Sequence, residues 1–339
     1  MTGNDHVKTQ YKRFAENECK GYSDLYFRLA NDVARDNELV EFISQRPVTQ
    51  PNLFFASIQF LTGPERMPVS AAELSVVVRD RNAEIAALMQ SRRTQTNEVG
   101  RCAAILPALP SSRLALLEVG ASAGLCLLLD EFFYDYGSQH VGDPSSPVKL
   151  RCAANSPVPR LVAMPEVVWR GGLDLSPVDL YSDDDVRWLL SCVWADHAER
   201  RQRLAAAIEM AQARGVSVRR GDLVSDLPAL LAEVPHDAKL VVFHSAVLAY
   251  VSVEQRVAFA NTLAAASRHR KIVWISNESP TVVPEITALA LPLAPRRFLL
   301  GRTTFTRGQR RDEMLAIAHP HGASLEWLSS AGLLDHSPD

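Results

Sequence analysis

Apolar residues recur along this chain with two different periods, and the change from one to the other divides it. Up to about residue 90 the spacing is helical: Tyr26, Leu29 and Val33 share one face, and Leu53, Ile58 and Leu61 share another. Pro47, Pro51, Pro64 and Pro68 punctuate this region, so helices are predicted over 11–18, 22–34, 37–44, 53–61 and 71–90. From residue 114 onward short apolar runs, strand-like in length, alternate with helical stretches. The runs 114–119, 167–174, 216–222, 239–245 and 271–278 read as strands, and RRFLLGRTTF with EMLAIAHPHGASLEWL reads as an antiparallel pair at a sheet edge. A helical region from Asp183 to Arg214 bends near Trp194. Strands alternating with helices predict a doubly wound, mostly parallel sheet covered on both faces. The expected layout is an N-terminal helical domain over 1–100 and an α/β domain over 101–339, with an insertion at about 135–165.

Within that pattern one stretch carries the most chemistry. LALLEVG is a buried-strand run broken by a single acid, Glu118, and it ends in Gly120, Ala121, Ser122, Ala123 and Gly124, which have almost no side-chain bulk. Helix formers follow, so a helix N-terminus with free backbone N–H groups is expected at this turn, suited to a nucleotide-type cofactor. The same five residues also satisfy the G-x-S-x-G pattern of a hydrolase nucleophile elbow. Just upstream, the polar segment RTQTNEVGR offers Thr94, Asn97 and Glu98 as a binding loop. In a parallel sheet ligands lie outside the carboxyl ends of the strands, which brings in His244 and Ser245 at the end of one run and Asn277 and Glu278 at the end of the next. His244 is the expected general base, and Glu278 a second base or an ionic partner of an arginine. Trp194 and Asp196 are candidates for a substrate mouth.

Bulk properties narrow the classes. The 339 residues suffice for one large or two modest cores, and the net charge of −3 provides no broad basic field for nucleic acid or an anionic membrane. Five cysteines lack C-x-x-C spacing, the N-terminal residues do not form a secretory signal, and no apolar run reaches membrane-spanning length. A cytoplasmic protein is expected. His319 and His321 alone are weak evidence for a metal, so no metal site is expected.

In order, EVGASAG, GLDLSP, RRGD and VVFHSAVLAYV resemble the successive motifs of a class I S-adenosylmethionine-dependent methyltransferase core over 114–339. Through RTQTNEVGR, EVGASAG and VVFHSAVLAYV, the chain is also identified as a member of a bacterial family known only as domain of unknown function 2332. The first resemblance implies a Rossmann-like fold with S-adenosylmethionine as cofactor. It implies that Glu118, Gly120, Ser122 and Gly124 line the methionine end, that Asp174 meets the ribose hydroxyls and that Asp222 meets the adenine amine. Ser122 stands where the usual motif has its middle glycine, and Asp135 is a rival to Asp174. FHSA has no asparagine or aspartate to hold a substrate amine, which argues against amino-group methylation of nucleic acid, so small-molecule or oxygen-directed methyl transfer is expected. Two other readings stay open. One is a hydrolase with Ser122 as nucleophile, Asp222 or Asp226 as acid and His319 or His321 as base, although that fold needs strands ahead of the elbow where this chain has helices. The other is a methyltransferase-like binding module without catalysis.

Overall fold

Local signals place the helices of the N-terminal region much as the spacing predicts. In a computed structural model, which describes residues 3–155, 158–289 and 297–328, helices span Gly3–Phe14, Asp24–Arg35, Asn37–Ser44, Pro51–Thr62, Ala71–Asp80 and Asn82–Ser91. Ser23, Asp36 and Ser70 cap three of them by accepting backbone N–H groups of the first turn, and Pro51 opens a fourth. The stretch expected as one helix over 71–90 is two, divided at Arg81, whose φ of −118° and ψ of 25° leave the helical region.

These helices belong to a unit made of Met1–Thr96 together with Tyr181–Ala205. The later segment joins through its tryptophans, whose rings pack on the helices while their indole N–H groups donate to the Arg93 carbonyl and to Asn52 Oδ1. Trp188 enters the helical core with Tyr11, Phe14, Phe54 and Phe55, and Trp194 stacks on Tyr26 at 4.8 Å between ring centroids. The bend expected near Trp194 is the gap between helices Asp183–Ser191 and Ala198–Arg214. Tyr26 also anchors a buried polar chain. Its hydroxyl donates to Gln59 Oε1 at 3.0 Å, Gln59 Nε2 donates to the Val193 carbonyl, and the Ala195 N–H donates back to the Tyr26 oxygen. Burial pushes the Tyr26 phenol well above its ordinary value, so it stays a donor.

The second unit, Asn97–Leu180 with Ala206–Asp339, is built on a nine-stranded sheet. Its strands are β1 (Arg113–Val119), β5 (Ala153–Ala154), β6 (Glu166–Asp174), β7 (Val218–Arg220), β8 (Lys239–Ser245), β9 (Ile272–Glu278), β10 (Phe298–Thr306), β11 (Gln309–Ala318) and β12 (Ser324–Trp327). A separate small sheet in the insertion is made of β2 (Phe133–Asp135), β3 (His140–Val141) and β4 (Lys149–Arg151). The large sheet runs β5-β12-β11-β10-β9-β8-β1-β6-β7. β7, β6, β1, β8 and β9 are mutually parallel, β10, β11 and β12 add antiparallel pairings, and β5 joins β12 in parallel.

Central position explains the unbroken apolar run of β1. Leu117 pairs with Gly171 of β6 on one side and Val242 of β8 on the other, and residues 114–119 are all buried. Alternation then sorts the side chains. Leu117, Val119, Val242 and Trp274 join the apolar cluster that Phe259 and Leu263 of helix Val253–Ala266 complete, so Glu118, Ser245 and Asn277 point to the opposite face. Counted in chain order, the five parallel strands lie 3-2-1-4-5, and the direction of winding reverses between β1 and β8. The crevice outside the carboxyl ends of strands at such a reversal is where open α/β sheets take their ligands.

Tyr26→Phe strips a shared partner from both Gln59 and the Ala195 N–H. The expected loss of stability is about 1–3 kcal/mol, read as a lower urea midpoint at unchanged slope; an unmoved midpoint would show that the polar chain is dispensable.

Candidate functional site

The turn after β1 is held from the neighbouring strand end. The Leu173 carbonyl accepts the N–H groups of Gly120 (2.8 Å) and Ala121 (3.2 Å), and Asp174 Oδ2 accepts that of Ser122 (2.8 Å). Three residues of the turn carry positive φ: Gly120 at 68°, Ser122 at 53° and Gly124 at 74°. For Ser122, with a Cβ, this conformation costs about 1 kcal/mol or more and needs the surrounding bonds to hold it. Ala246, just past β8, is a second non-glycine in this region, at 57°. The two strained residues flank the reversal between β1 and β8. Gly120 is also required for packing, because a Cβ there would collide with the Val247 side chain.

The helix expected after the turn is instead a short 3-10 segment, Leu125–Glu131, kinked at Leu128. Leu125 to Leu129 are buried on every side, so the segment has no polar face and no 3.6-residue period to favour an α-helix. Nor does the turn present a row of free amides. Gly124 N donates to the Ala121 carbonyl, and Leu125 N to Asn97 Oδ1 at 3.1 Å. A phosphate would find few donors there.

Four buried polar atoms in this region accept or donate no hydrogen bond: Glu118 Oε2, Ser122 Oγ, Asn277 Oδ1 and Glu278 Oε2. Such atoms are rare in folded proteins and costly without a partner. On the face shared by Glu118, Ser245 and Asn277, the Asn277 amide donates to Ser245 Oγ at 2.9 Å. Arg101 closes this face: its Nε donates to the Pro320 carbonyl (2.8 Å) and a terminal nitrogen to the Ser245 carbonyl (3.1 Å). Burial, then the Cys126 thiol and the Asp174 carboxylate, push the Glu118 carboxyl well above its ordinary value, against the opposing pull of Arg101.

The opposite face holds the histidine expected as base. Trp274 Nε1 donates to His244 Nε2 at 2.9 Å, which puts the ring proton on Nδ1, and Nδ1 faces Glu278 Oε1 at 2.7 Å. With no exposed surface and both nitrogens engaged, His244 has none to offer a substrate in this arrangement. Its effect is on Glu278, whose Oε1 also accepts the N–H groups of Val247 and Leu248. The carboxylate thereby fixes the loop beyond β8.

Of the other expected site residues, Asn97 and Glu98 do lie beside the turn, buried, where Asn97 caps Leu125 and Glu98 Oε1 accepts the Gly100 N–H at 3.0 Å. Thr94 and Trp194 serve the helical unit, Thr94 bonding Gln50 and Trp194 bonding Asn52 within the aromatic core. Asp174 ends β6, and besides Ser122 N it accepts Ser176 N on Oδ1, leaving each oxygen a further lone pair. Asp222 follows β7 and accepts the N–H groups of Val224 and Ser225. Asp135 sits in the small sheet, where its Oδ1 faces His140 and accepts the Gly137 N–H. Arg101 was not anticipated. The available signal was a lone arginine leading into the apolar run CAAILPAL, where a buried charge needs fixed partners.

Ser122 shares the positive φ of a nucleophile elbow, but its Oγ contacts no base. The acids of that reading are engaged locally, Asp226 Oδ2 accepting the Asp222 and Ser225 donors. Among the described residues no group of three His, Cys, Asp or Glu side chains is set to hold a metal ion, and no helix is long and apolar enough to cross a membrane.

Fold and site together define a mixed α/β protein whose large, mostly parallel sheet ends in a cluster of buried carboxylates. The chain belongs to the family described as an uncharacterized protein conserved in bacteria, DUF2332, whose model matches residues 8–327. Searches of curated proteins and of solved structures returned no match.

A carboxyl whose folded pKa is raised holds its proton more tightly folded than unfolded, so it lowers stability as pH climbs above the ordinary value of 4.5. Glu118→Gln is therefore expected to unfold as wild type does near pH 4.5 and to be about 1–3 kcal/mol more stable at pH 8. Urea titrations of both proteins at the two pH values give the comparison, and parallel curves at both would remove the burial argument for Glu118.

Proposed function

We propose that this protein is an S-adenosylmethionine-dependent methyltransferase acting on a small molecule. The observation that carries the reading is the buried Glu118 carboxyl, whose Oε2 has no hydrogen-bond partner, beneath the small-residue turn at the sheet's reversal point. Its neighbours are chosen for a ligand that brings positive charge and hydrogen-bond donors. Carboxyl groups of Glu98, Glu118 and Asp174 gather near the turn, the Arg101 guanidinium donates to two carbonyls and offsets part of their charge, and most turn amides are satisfied internally. A dinucleotide or phosphate ligand would want the reverse. An ammonium and a sulfonium suit the acidic lining, so the residues fit this cofactor by charge and donor count.

Under this reading Glu118, with Gly120, Ser122 and Gly124, meets the methionine end, and Asp174 and Asp222, ending the two adjacent strands, meet the ribose and adenine. The bound cofactor supplies an electrophilic methyl group. The protein's part is orientation and exclusion of water, since methyl transfer needs chiefly an aligned nucleophile. Glu278 remains a candidate for proton handling, through Oε2, with His244 positioning it.

A hydrolase is the second reading, favoured by the strained Ser122 backbone alone. One set of experiments separates the two. Calorimetric titration of ligand-stripped protein with S-adenosylmethionine and S-adenosylhomocysteine is expected to show one saturable site, with Asp174→Ala weakening binding at least tenfold, about 1.4 kcal/mol. Folded wild-type protein that binds neither compound sinks the proposal, and labelling of Ser122 by a fluorophosphonate would then favour the hydrolase.

A further inference from the structure

The same end of the sheet carries an imidazole–carboxylate pair, His321 and Glu98, to which the methyltransferase reading gives no joint role. The loop joining β11 to β12, His319-Pro320-His321-Gly322, is locked against the segment Asn97–Arg101 at three points. Arg101 binds the Pro320 carbonyl, a Cβ on Gly322 would collide with the Gly100 carbonyl, and His321 Nδ1 lies 3.8 Å from Glu98 Oε2. Neither segment is near the turn in sequence, yet both reach it. Asn97 caps Leu125, and the guanidinium that holds Pro320 also holds Ser245 at the end of β8. His321 is thus one residue from a carbonyl bridged directly to the reversal point.

The pair has the asymmetry of an acid–base dyad. Glu98 is 5 % exposed in its side chain and fixed by the Gly100 N–H, whereas the His321 side chain is 28 % exposed. A buried carboxylate 3.8 Å from Nδ1 favours the protonated form of the ring by its charge, and the partial exposure of the ring gives it a route to solvent. Its charged or titratable neighbours include His319, whose ring lies 5.7 Å away and whose Nδ1 accepts the His321 N–H, and Arg101 behind Pro320. His244, fully buried with both nitrogens engaged, has none of this access.

Resting on the methyltransferase reading, we propose that His321, backed by Glu98, is the acid–base residue of the acceptor side. It takes the proton that an O–H, N–H or S–H acceptor loses as it attacks the methyl group, and passes that proton to solvent.

The test follows carbethoxylation of His321 by diethyl pyrocarbonate, quantified by peptide mass spectrometry across pH 5 to 8, in wild type and Glu98→Gln, with and without S-adenosylhomocysteine. Only the neutral imidazole reacts, so the midpoint reports the His321 titration. Glu98→Gln is expected to lower that midpoint by on the order of one unit, and S-adenosylhomocysteine to slow the wild-type reaction at least threefold. The amide oxygen that Glu98→Gln introduces can still accept the Gly100 N–H; if this variant nevertheless fails to fold, Glu98→Asp, which withdraws the carboxylate from the ring, should shift the midpoint the same way. An unmoved midpoint overturns the dyad, and a rate indifferent to calorimetrically bound S-adenosylhomocysteine overturns its place in the site. Absence of any binding instead removes the methyltransferase reading itself, and the acceptor role with it.

Discussion

The end of β6 governs the turn that follows β1: one carbonyl and one carboxylate, on Leu173 and Asp174, receive three consecutive amides from Gly120, Ala121 and Ser122. Without them the left-handed backbone at Ser122 keeps only the Val178 N–H on its carbonyl to hold it. With them the turn is rigid, the Glu118 carboxyl is sealed beneath it, and Leu125 is presented to Asn97. The pairing of β1 with β6 therefore does more than extend a sheet. It decides where the small-residue stretch sits and which of its amides stay available.

Polar burial is handled differently in different parts of the chain. In the helical unit, Tyr26, Gln59 and the chain near Val193 satisfy one another, and the result is a fixed core. At the carboxyl ends of β1 and β9, acceptors on Glu118, Asn277 and Glu278 are buried and left without donors. Folding stability alone gives no reason to keep such groups, since replacing them by apolar residues of similar shape is usually neutral or favourable. A ligand that supplies donors there is the simplest physical reason for their presence.

The histidines make the same point about environment. His244 and His321 both approach the ligand end of the sheet, each next to a glutamate. Trp274 takes the second nitrogen of one, and an open loop leaves the other partly exposed. Their chemistry is identical and their accessibility is not.

Much of the architecture was legible in the residues. Periodicity, prolines and capping residues placed the helices before residue 91, and continuous apolar runs marked β1, β8 and β9, because a strand covered on both faces admits little else. The lone acid in LALLEVG and the acids closing GLDL and RRGD lie at or near strand ends for the same reason: charge seldom interrupts such runs without a partner or a purpose. Three features were decided only in three dimensions. The segment after Gly124 became a short 3-10 turn, because burial on all sides removed the amphipathic face that sustains a helix. His244 was withdrawn from solvent chemistry by an indole thirty residues away, and Glu98, Arg101 and His321 were gathered from opposite ends of the second unit. Sequence thus determined which segments form helices and which form strands, since both follow from local pattern. Which side chains satisfy one another depends on contacts between distant segments, and only the tertiary structure settled that.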